Sequence, residues 1–392
     1  MIFIRSAILL FTLVFCFSGL AVAVMPPGSG CVQGDFTYYV VAKSRRGNGS
    51  VSLPFAKINQ ALLAAQKEKA CAVQVNVAPG VYQENLNITR ETTISGSRGG
   101  SAILAGTITN TTGQYLAISS FNVRHAKKWG IIQFGGELHL RSVSITFGIG
   151  KGFFRSMPFA LKIAGGAQAE LMSVTINDNI GPALIIHGEQ TRVWANSLGI
   201  ERNKLFSKAW DMAEHNQQSY LAALEVSDGA RLFAENVVIS GNGFWGLRVH
   251  RLAQAHLNTV EFSDTTAIAG VGNDDAEGGD NISMGSGGVL EVENFETFGA
   301  ASCGAKINNS YLTLRAGKIH DNTIGVADLG SEYEVGYDPF DCISGSDVAW
   351  YNNGTTYDSN FLPITDPACL GSNPPEYCSN SNCRSVPWES WY

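Results

Sequence analysis

The stretch Leu232-Phe233-Ala234-Glu235-Asn236-Val237-Val238-Ile239-Ser240-Gly241-Asn242 alternates apolar and polar residues in two halves and ends on Asn. Within each half, alternate residues face one side, which is the period of a pleated strand. The same block starts at Leu116, Leu138, Ala169, Val193, Ala255, Leu290 and Leu312. Counting all eight copies, 30 of the 32 apolar positions hold Ala, Val, Ile, Leu or Phe; the exceptions are Thr297 and Gly317. Successive starts lie 22, 31, 24, 39, 23, 35 and 22 residues apart. A base period of 22 residues fits one coil of a solenoid. A single coil cannot bury its inner face alone, so neighbours stack and share a core. The closing Asn suits a corner, because it tolerates left-handed backbone angles and hydrogen-bonds its stacked neighbours. A β-sandwich gives no reason for one block to recur at a near-fixed period. The expected fold is all-β: a solenoid of stacked parallel strands.

Upstream, Pro54 to Ala65 has the pattern of an amphipathic helix, expected over 54–69 as a cap on the open end of the stack. It is followed by Val75-Asn-Val-Ala-Pro-Gly-Val-Tyr-Gln-Glu-Asn-Leu86 and by Thr93-Ile-Ser-Gly96. This order of helix and motifs resembles the opening of right-handed parallel β-helices of the pectin-lyase-like superfamily. The resemblance spans residues 50–355 and implies that fold, not an activity. The chain is accordingly divided into a leader (1–23), an N-terminal segment (24–49), the β-helix (50–362) and a Cys- and Pro-rich tail (363–392).

Residues 1–23 have the form of a secretory signal: one charge at Arg5, an apolar run from Ala7 to Phe17, and Ala21-Val22-Ala23 as a small-x-small cleavage pattern. The expected location is secreted, periplasmic or cell-surface, with no membrane span left after cleavage. Export favours disulfides, and the spacing suggests Cys31–Cys71, Cys303–Cys342 and one bridge among Cys369, Cys378 and Cys383.

Only 16% of the 392 residues are charged, against a usual ~25%. The net charge is −7, and 43 glycines fit a chain that turns many corners. These values exclude a disordered chain and argue against both a helical bundle and a basic nucleic-acid binder.

The long spacings place extra residues at one corner of alternate coils: Ile149 to Met157, Lys204 to Ser219 and Thr266 to Met284. Repeat proteins commonly carry binding loops on one face in this way. The loops offer Phe153, Phe154, Phe206 and Trp210 for stacking on sugar rings. The third is acidic, and Asp274, Asp275, Glu277 and Asp280 are oxygen donors of the kind Ca2+ takes. On the strand after this corner, Lys162, Glu225, Arg248 and Lys306 are expected on one outer face, with His187 and His250 one pleat further on. Polysaccharide lyases of the resembled superfamily use an Arg or Lys base with a cation on the uronate carboxylate, which would give Lys162, Arg248 or His250 a catalytic role. Asp338-Pro-Phe-Asp341 is similar to the Asp-Pro-His-Asp motif of alginate epimerases, but Phe340 replaces the His. Signature segments of pectin methylesterases, polygalacturonases and the main pectate lyases are not matched.

Three readings follow. The first is an exported β-helix that binds a polysaccharide or another extended surface glycan. The second is a uronate lyase or epimerase with a Lys or Arg base and Ca2+. The third is a non-catalytic structural or adhesive surface protein.

Overall fold

A computed structural model describes residues 30–44, 47–97, 101–125, 129–147, 158–204, 222–268, 277–328 and 342–359. The leader, the tail and Asp338 to Asp341 lie outside them. Among the described residues the chain winds through two large sheets of 14 and 11 strands. Ten-residue strands such as Gln168–Asn177 and Arg231–Ser240 build the first sheet. Shorter strands such as Ala222–Ser227 and Trp245–His250 build the second. The two kinds alternate along the chain, and every neighbouring pair within these two sheets is parallel.

The register matches the repeat. Leu116, Leu138, Ala169, Val193, Leu232, Ala255, Leu290 and Leu312 stand side by side in one column, which continues to Ile343. All 30 apolar block residues are buried. The chain is a parallel β-helix. Its first sheet begins ahead of residue 50, because Thr37–Val40 already pairs with Ala72–Val77.

Both exceptions in the apolar pattern have a packing reason. A Cβ on Gly317 would lie 2.2 Å from the Phe295 ring, so glycine makes room for the aromatic of the preceding coil. The buried Thr297 hydroxyl accepts a 2.9 Å hydrogen bond from Asn281 Nδ2.

Each long strand bends at the fifth residue of its repeated block. Ser120, Ser142, Ser173, Ser197, Asn236, Thr259, Asn294 and Ala316 all have φ between 51° and 60°. Glycine is therefore not the residue of this bend, although it fills the turns from the second sheet back to the first, as at Gly165-Gly166 and Gly229. A side chain in this region costs roughly 1–2 kcal/mol, least for short polar ones, and Ser and Asn fill most of these sites.

At the next corner the closing asparagines form a buried ladder. Asn179 Nδ2 donates to Asn203 Oδ1 (2.8 Å), and Asn203 Nδ2 donates to Asn242 Oδ1 (3.0 Å). His125 begins the ladder, with Nε2 at 2.9 Å from Asn179 Oδ1. Burial lowers the His125 pKa to about 4, only partly opposed by that bond. Its Nδ1 is buried without a hydrogen-bond partner, so the neutral ring fits and the protonated ring does not. Against an unfolded value near 6.5, the contribution is complete above about pH 6.5 and is lost as the pH falls toward 4. Denaturant unfolding at pH 7 and pH 4.5 is expected to show a loss of about 2–3 kcal/mol that His125→Gln removes. Equal losses in both proteins would disprove this.

Helix α1, Ile58–Lys67, buries Ile58, Ala61 and Ala65 against the first coil. It has no acidic residue in its own first turn, and Glu84 supplies one from the opening motif. The Glu84 carboxylate accepts the backbone N–H groups of Ile58 (2.7 Å) and Asn59 (2.9 Å), satisfying orphan donors at the positive end of the helix dipole. Tyr82, two residues earlier, donates its hydroxyl to Ala78 O (2.8 Å).

Cys31 and Cys71 are bonded, tying the N-terminal segment to the first long coil. The expected Cys303–Cys342 bridge does not form. Cys303 is a buried free thiol whose strand pairs with Ile324–Asp328 in the second sheet. Cys342 sits beside Tyr311 in the first sheet. Sequence spacing brings the two together, but the coil separates them onto different walls. Burial, with Asp280 nearby, pushes the Cys303 pKa up to about 12 and keeps the thiol unreactive.

Candidate functional site

The two sheets meet their surroundings differently. Strands of the first sheet alternate buried and half-exposed residues, so their outer face is open to water. In the second sheet, all six residues of Ala222–Ser227 are buried, including the outward ones.

On that outer face the register aligns Lys162, Ile185, Glu225, Arg248, Ser283 and Lys306 in one column. Two residues on, Ala164, His187, Ser227 and His250 form a second column. Lys162, Glu225, Arg248 and Lys306 thus share a face, with His187 and His250 one pleat further. Glu225 and Arg248 are neighbours, whereas Lys162 lies three strands from Arg248, about 14 Å at the usual strand spacing.

The columns carry a partly desolvated charge cluster. Glu225 is fully buried, and its Oε1 lies 2.7 Å from Nε2 of the buried His250. Arg248 is half-buried, with its guanidinium 4.3 Å from the centre of the Trp245 ring, a cation–π contact. Nδ1 of His187 lies 2.9 Å from Asp228 Oδ2, and Arg251 reaches the other oxygen of Asp228 at 3.7 Å. Burial lowers the pKa of Lys162, opposed by the Asp228 and Glu225 charges. Burial also lowers that of Arg248, opposed by Glu225 and assisted by Arg251. His187 is lowered by burial as well, against the pull of Asp228. Cations held out of water around a buried carboxylate are the kind of environment found at functional sites.

Asp280 has a different job. Its Oδ2 accepts the Trp245 indole N–H (3.1 Å), and its Oδ1 accepts the Cys303 backbone N–H (3.1 Å). Both oxygens hold neighbouring coils together, which leaves Asp280 poorly suited to a cation. Among the described residues no three His, Cys, Asp or Glu side chains converge as a metal site. Asp274 and Asp275 lie outside the described residues, as does the side chain of Glu277. Phe153, Phe154, Phe206 and Trp210 also lie outside them. The intervals 148–157, 205–221 and 269–276 each fall between a first-sheet strand and the next second-sheet strand, as the spacings require.

No protein-family model matches this sequence, and neither does any curated protein. Solved structures with a similar course include pectate lyase Pel9A, at 12% identity and TM-score 0.46, covering 85% of this chain and 80% of that one. Another is the A-module of the Azotobacter vinelandii mannuronan C-5 epimerase AlgE6, at 13% identity and TM-score 0.48, covering 81% and 90%. A rhamnogalacturonan lyase follows at 10% identity and TM-score 0.40, covering 84% and 86%. The β-helix itself rests on the strand registers.

Asp228 and Trp245 are members of the cluster that the repeat pattern passes over. Asp228-Gly229 has the form of a corner, and Asp228 does adopt a left-handed φ of 57°. Trp245 opens its strand one residue after the buried Phe244, outside the repeated block.

Proposed function

We propose that this protein is exported and binds an acidic polysaccharide along the outer face of its second sheet. The observation that carries the reading is the column in which Lys162 and Arg248 flank the buried Glu225. Partly dehydrated cations on a stacked face offer carboxylates strong charge-assisted hydrogen bonds, and a regular strand spacing suits a polymer. Aromatic side chains in the adjoining loops, Phe153, Phe154, Phe206 and Trp210, would add stacking, and Lys306 would extend the cationic column. The Cys31–Cys71 bridge and the leader-like segment support export.

A second reading is uronate β-elimination or epimerisation, favoured by the lowered pKa of Lys162. In it, the uncharged Lys162 amine takes the proton beside the uronate carboxylate, while Arg248, three strands away, holds the carboxylate of a neighbouring residue of the polymer. In elimination the electrons left by that proton form the ring double bond, and the glycosidic oxygen leaves and is protonated. In epimerisation a proton returns on the opposite face. The His250–Glu225 pair would hold the cluster in place.

The test uses the full chain with polygalacturonate, alginate and a neutral glucan, with and without calcium. Tight binding to an acidic polymer is expected, about tenfold weaker in Arg248→Ala. Absence of binding to every acidic polymer would overturn the proposal. Ultraviolet absorbance of unsaturated uronate ends reports elimination. Loss of that signal in Lys162→Ala with binding kept would support the lyase reading, and no signal from the unmodified protein would remove it. Proton exchange at the uronate carbon tests epimerisation separately.

A further inference from the structure

The outer face of the first sheet carries a row of rings with a carboxylate at each end. Glu170, Trp194, Phe233, His256 and Glu291 are register neighbours on adjacent strands of that sheet. The three rings are half-buried. Those of Phe233 and His256 are stacked, with centroids 5.1 Å apart and planes 5° from parallel. Trp194 and Phe233, together with Val193, Arg192 and Arg231, line a shallow cleft. A histidine orients each carboxylate. His139 Nδ1 lies 2.9 Å from Glu170 Oε2, and His256 Nδ1 lies 3.3 Å from Glu291 Oε2; both glutamate side chains stay partly exposed.

Trp194 also keeps an unspent donor. Among the described residues nothing accepts its indole N–H, whereas Trp129 donates to Thr109 Oγ1 (3.2 Å) and Trp245 to Asp280 Oδ2 (3.1 Å). Apolar rings with a few placed donors and acceptors are the make-up of a small-ligand site. A sugar fits both parts: its C–H faces lie on aromatic rings, and its hydroxyls reach the polar groups at the rim. Rungs of the sheet stand about 4.8 Å apart, so an extended glycan crossing the strands passes over one ring after another. Carboxylates at both ends of the row offset the guanidiniums at its side, so the cleft does not select a ligand by charge. Nor does it suit a protein partner. Three half-buried rings, about 150–250 Å² each in full, fall short of the roughly 800 Å² a side that a stable protein interface buries.

We infer that the Trp194–Phe233 cleft is a binding site for an uncharged glycan, whose sugar rings lie on the aromatic row and whose hydroxyls meet the indole N–H and the Glu170 and Glu291 carboxylates. The site lies on the other sheet from Lys162, Glu225 and Arg248 and does not depend on the acidic polymer proposed for them. Glu291 remains an acceptor in mild acid, because its hydrogen bond with His256 holds the carboxyl below the usual range against the opposing effect of burial.

The test titrates the full chain calorimetrically with cello-, xylo- and mannan-oligosaccharides, and with oligogalacturonate for comparison. At least one neutral oligosaccharide is expected to bind, about tenfold more weakly in Trp194→Ala and in Phe233→Ala. Trp194→Phe, which keeps a ring and loses the N–H, is expected to fall between Trp194→Ala and the unmodified chain. Unfolding midpoints are read beside each titration; should Trp194→Ala fail to fold, Trp194→Leu, which still covers the strand, decides the same question. Binding of no neutral oligosaccharide overturns the site, and so does unchanged affinity in the Trp194 and Phe233 variants. Neutral-glycan binding that is lost in Lys162→Ala/Arg248→Ala instead belongs to the second sheet and also overturns it. Oligogalacturonate binding that is as tight and as sensitive to Trp194 overturns the choice of an uncharged ligand. The acidic-polymer reading is judged separately, by oligogalacturonate binding and its loss in Arg248→Ala, so either proposal can fail while the other stands.

Discussion

Asn203→Leu is expected to lower stability by about 4 kcal/mol, read as a fall in the denaturant midpoint with unchanged slope. Asn203 Oδ1 accepts from the backbone N–H and the side-chain Nδ2 of Asn179, at 3.1 and 2.8 Å. Its Nδ2 donates to Ile176 O at 2.9 Å and to Asn242 Oδ1 at 3.0 Å. Leucine fills nearly the same volume and makes none of these bonds. The Asn179 backbone N–H and the Ile176 carbonyl lose these partners while buried, at about 1–3 kcal/mol each, whereas Asn179 Nδ2 keeps Asn177 O (3.0 Å) and Ile145 O (3.3 Å). Asn203→Asp separates geometry from chemistry. It retains the acceptor but turns a second oxygen toward Ile176 O and Asn242 Oδ1, so it is expected to be no better than leucine at neutral pH. A loss below about 1 kcal/mol in both variants would mean that the ladder does not hold this corner.

Glu225→Ala is the second large loss, about 3 kcal/mol, because a fully buried, hydrogen-bonded carboxylate is removed while its buried partner remains. His250, 96% buried at its side chain, would lose its 2.7 Å partner. Lys162 and Arg248 would lose the carboxylate charge that opposes their desolvation. Glu225→Gln keeps the shape and a hydrogen-bonding oxygen and is expected to recover part of the loss. Unfolding by denaturant measures both variants. Losses under about 1 kcal/mol would show that water reaches the carboxylate in solution and that the cluster is open. The two outcomes bear on function as well, since an acidic ligand needs cations that are held in place but incompletely satisfied.

The coil was legible because its signal is local and repeated. Inward positions must be apolar in every turn, so Leu232, Ala234, Val237 and Ile239 carry the same information as their counterparts in seven other blocks. The opening motif was legible as a resemblance, while its purpose became visible only when Glu84 was found on the N-terminus of α1. The site was partly legible. Once inward positions are assigned, the middle residue of Leu224-Glu225-Val226 or Leu247-Arg248-Val249 has to face outward. Asp228 and Trp245 escaped because they sit at a corner and a strand start, where the pattern imposes nothing. Cys303 and Cys342 misled for a related reason: sequence distance around a coil does not tell which wall a residue occupies.

The sequence by itself determined that this chain is a stack of strands with a buried inner face, and on which side each strand residue stands. Alternation decides that, and burial of apolar surface enforces it. Only the tertiary structure decided which outward residues meet. Coils of unequal length put Glu225 sixty-three residues after Lys162 and Arg248 twenty-three after Glu225, yet backbone hydrogen bonding draws all three into one column. The same register sets Phe233 beside Trp194 across 39 residues. A loop of any length returns to the same rung, so the chemistry of the surface is written in the stacking and not in the spacing.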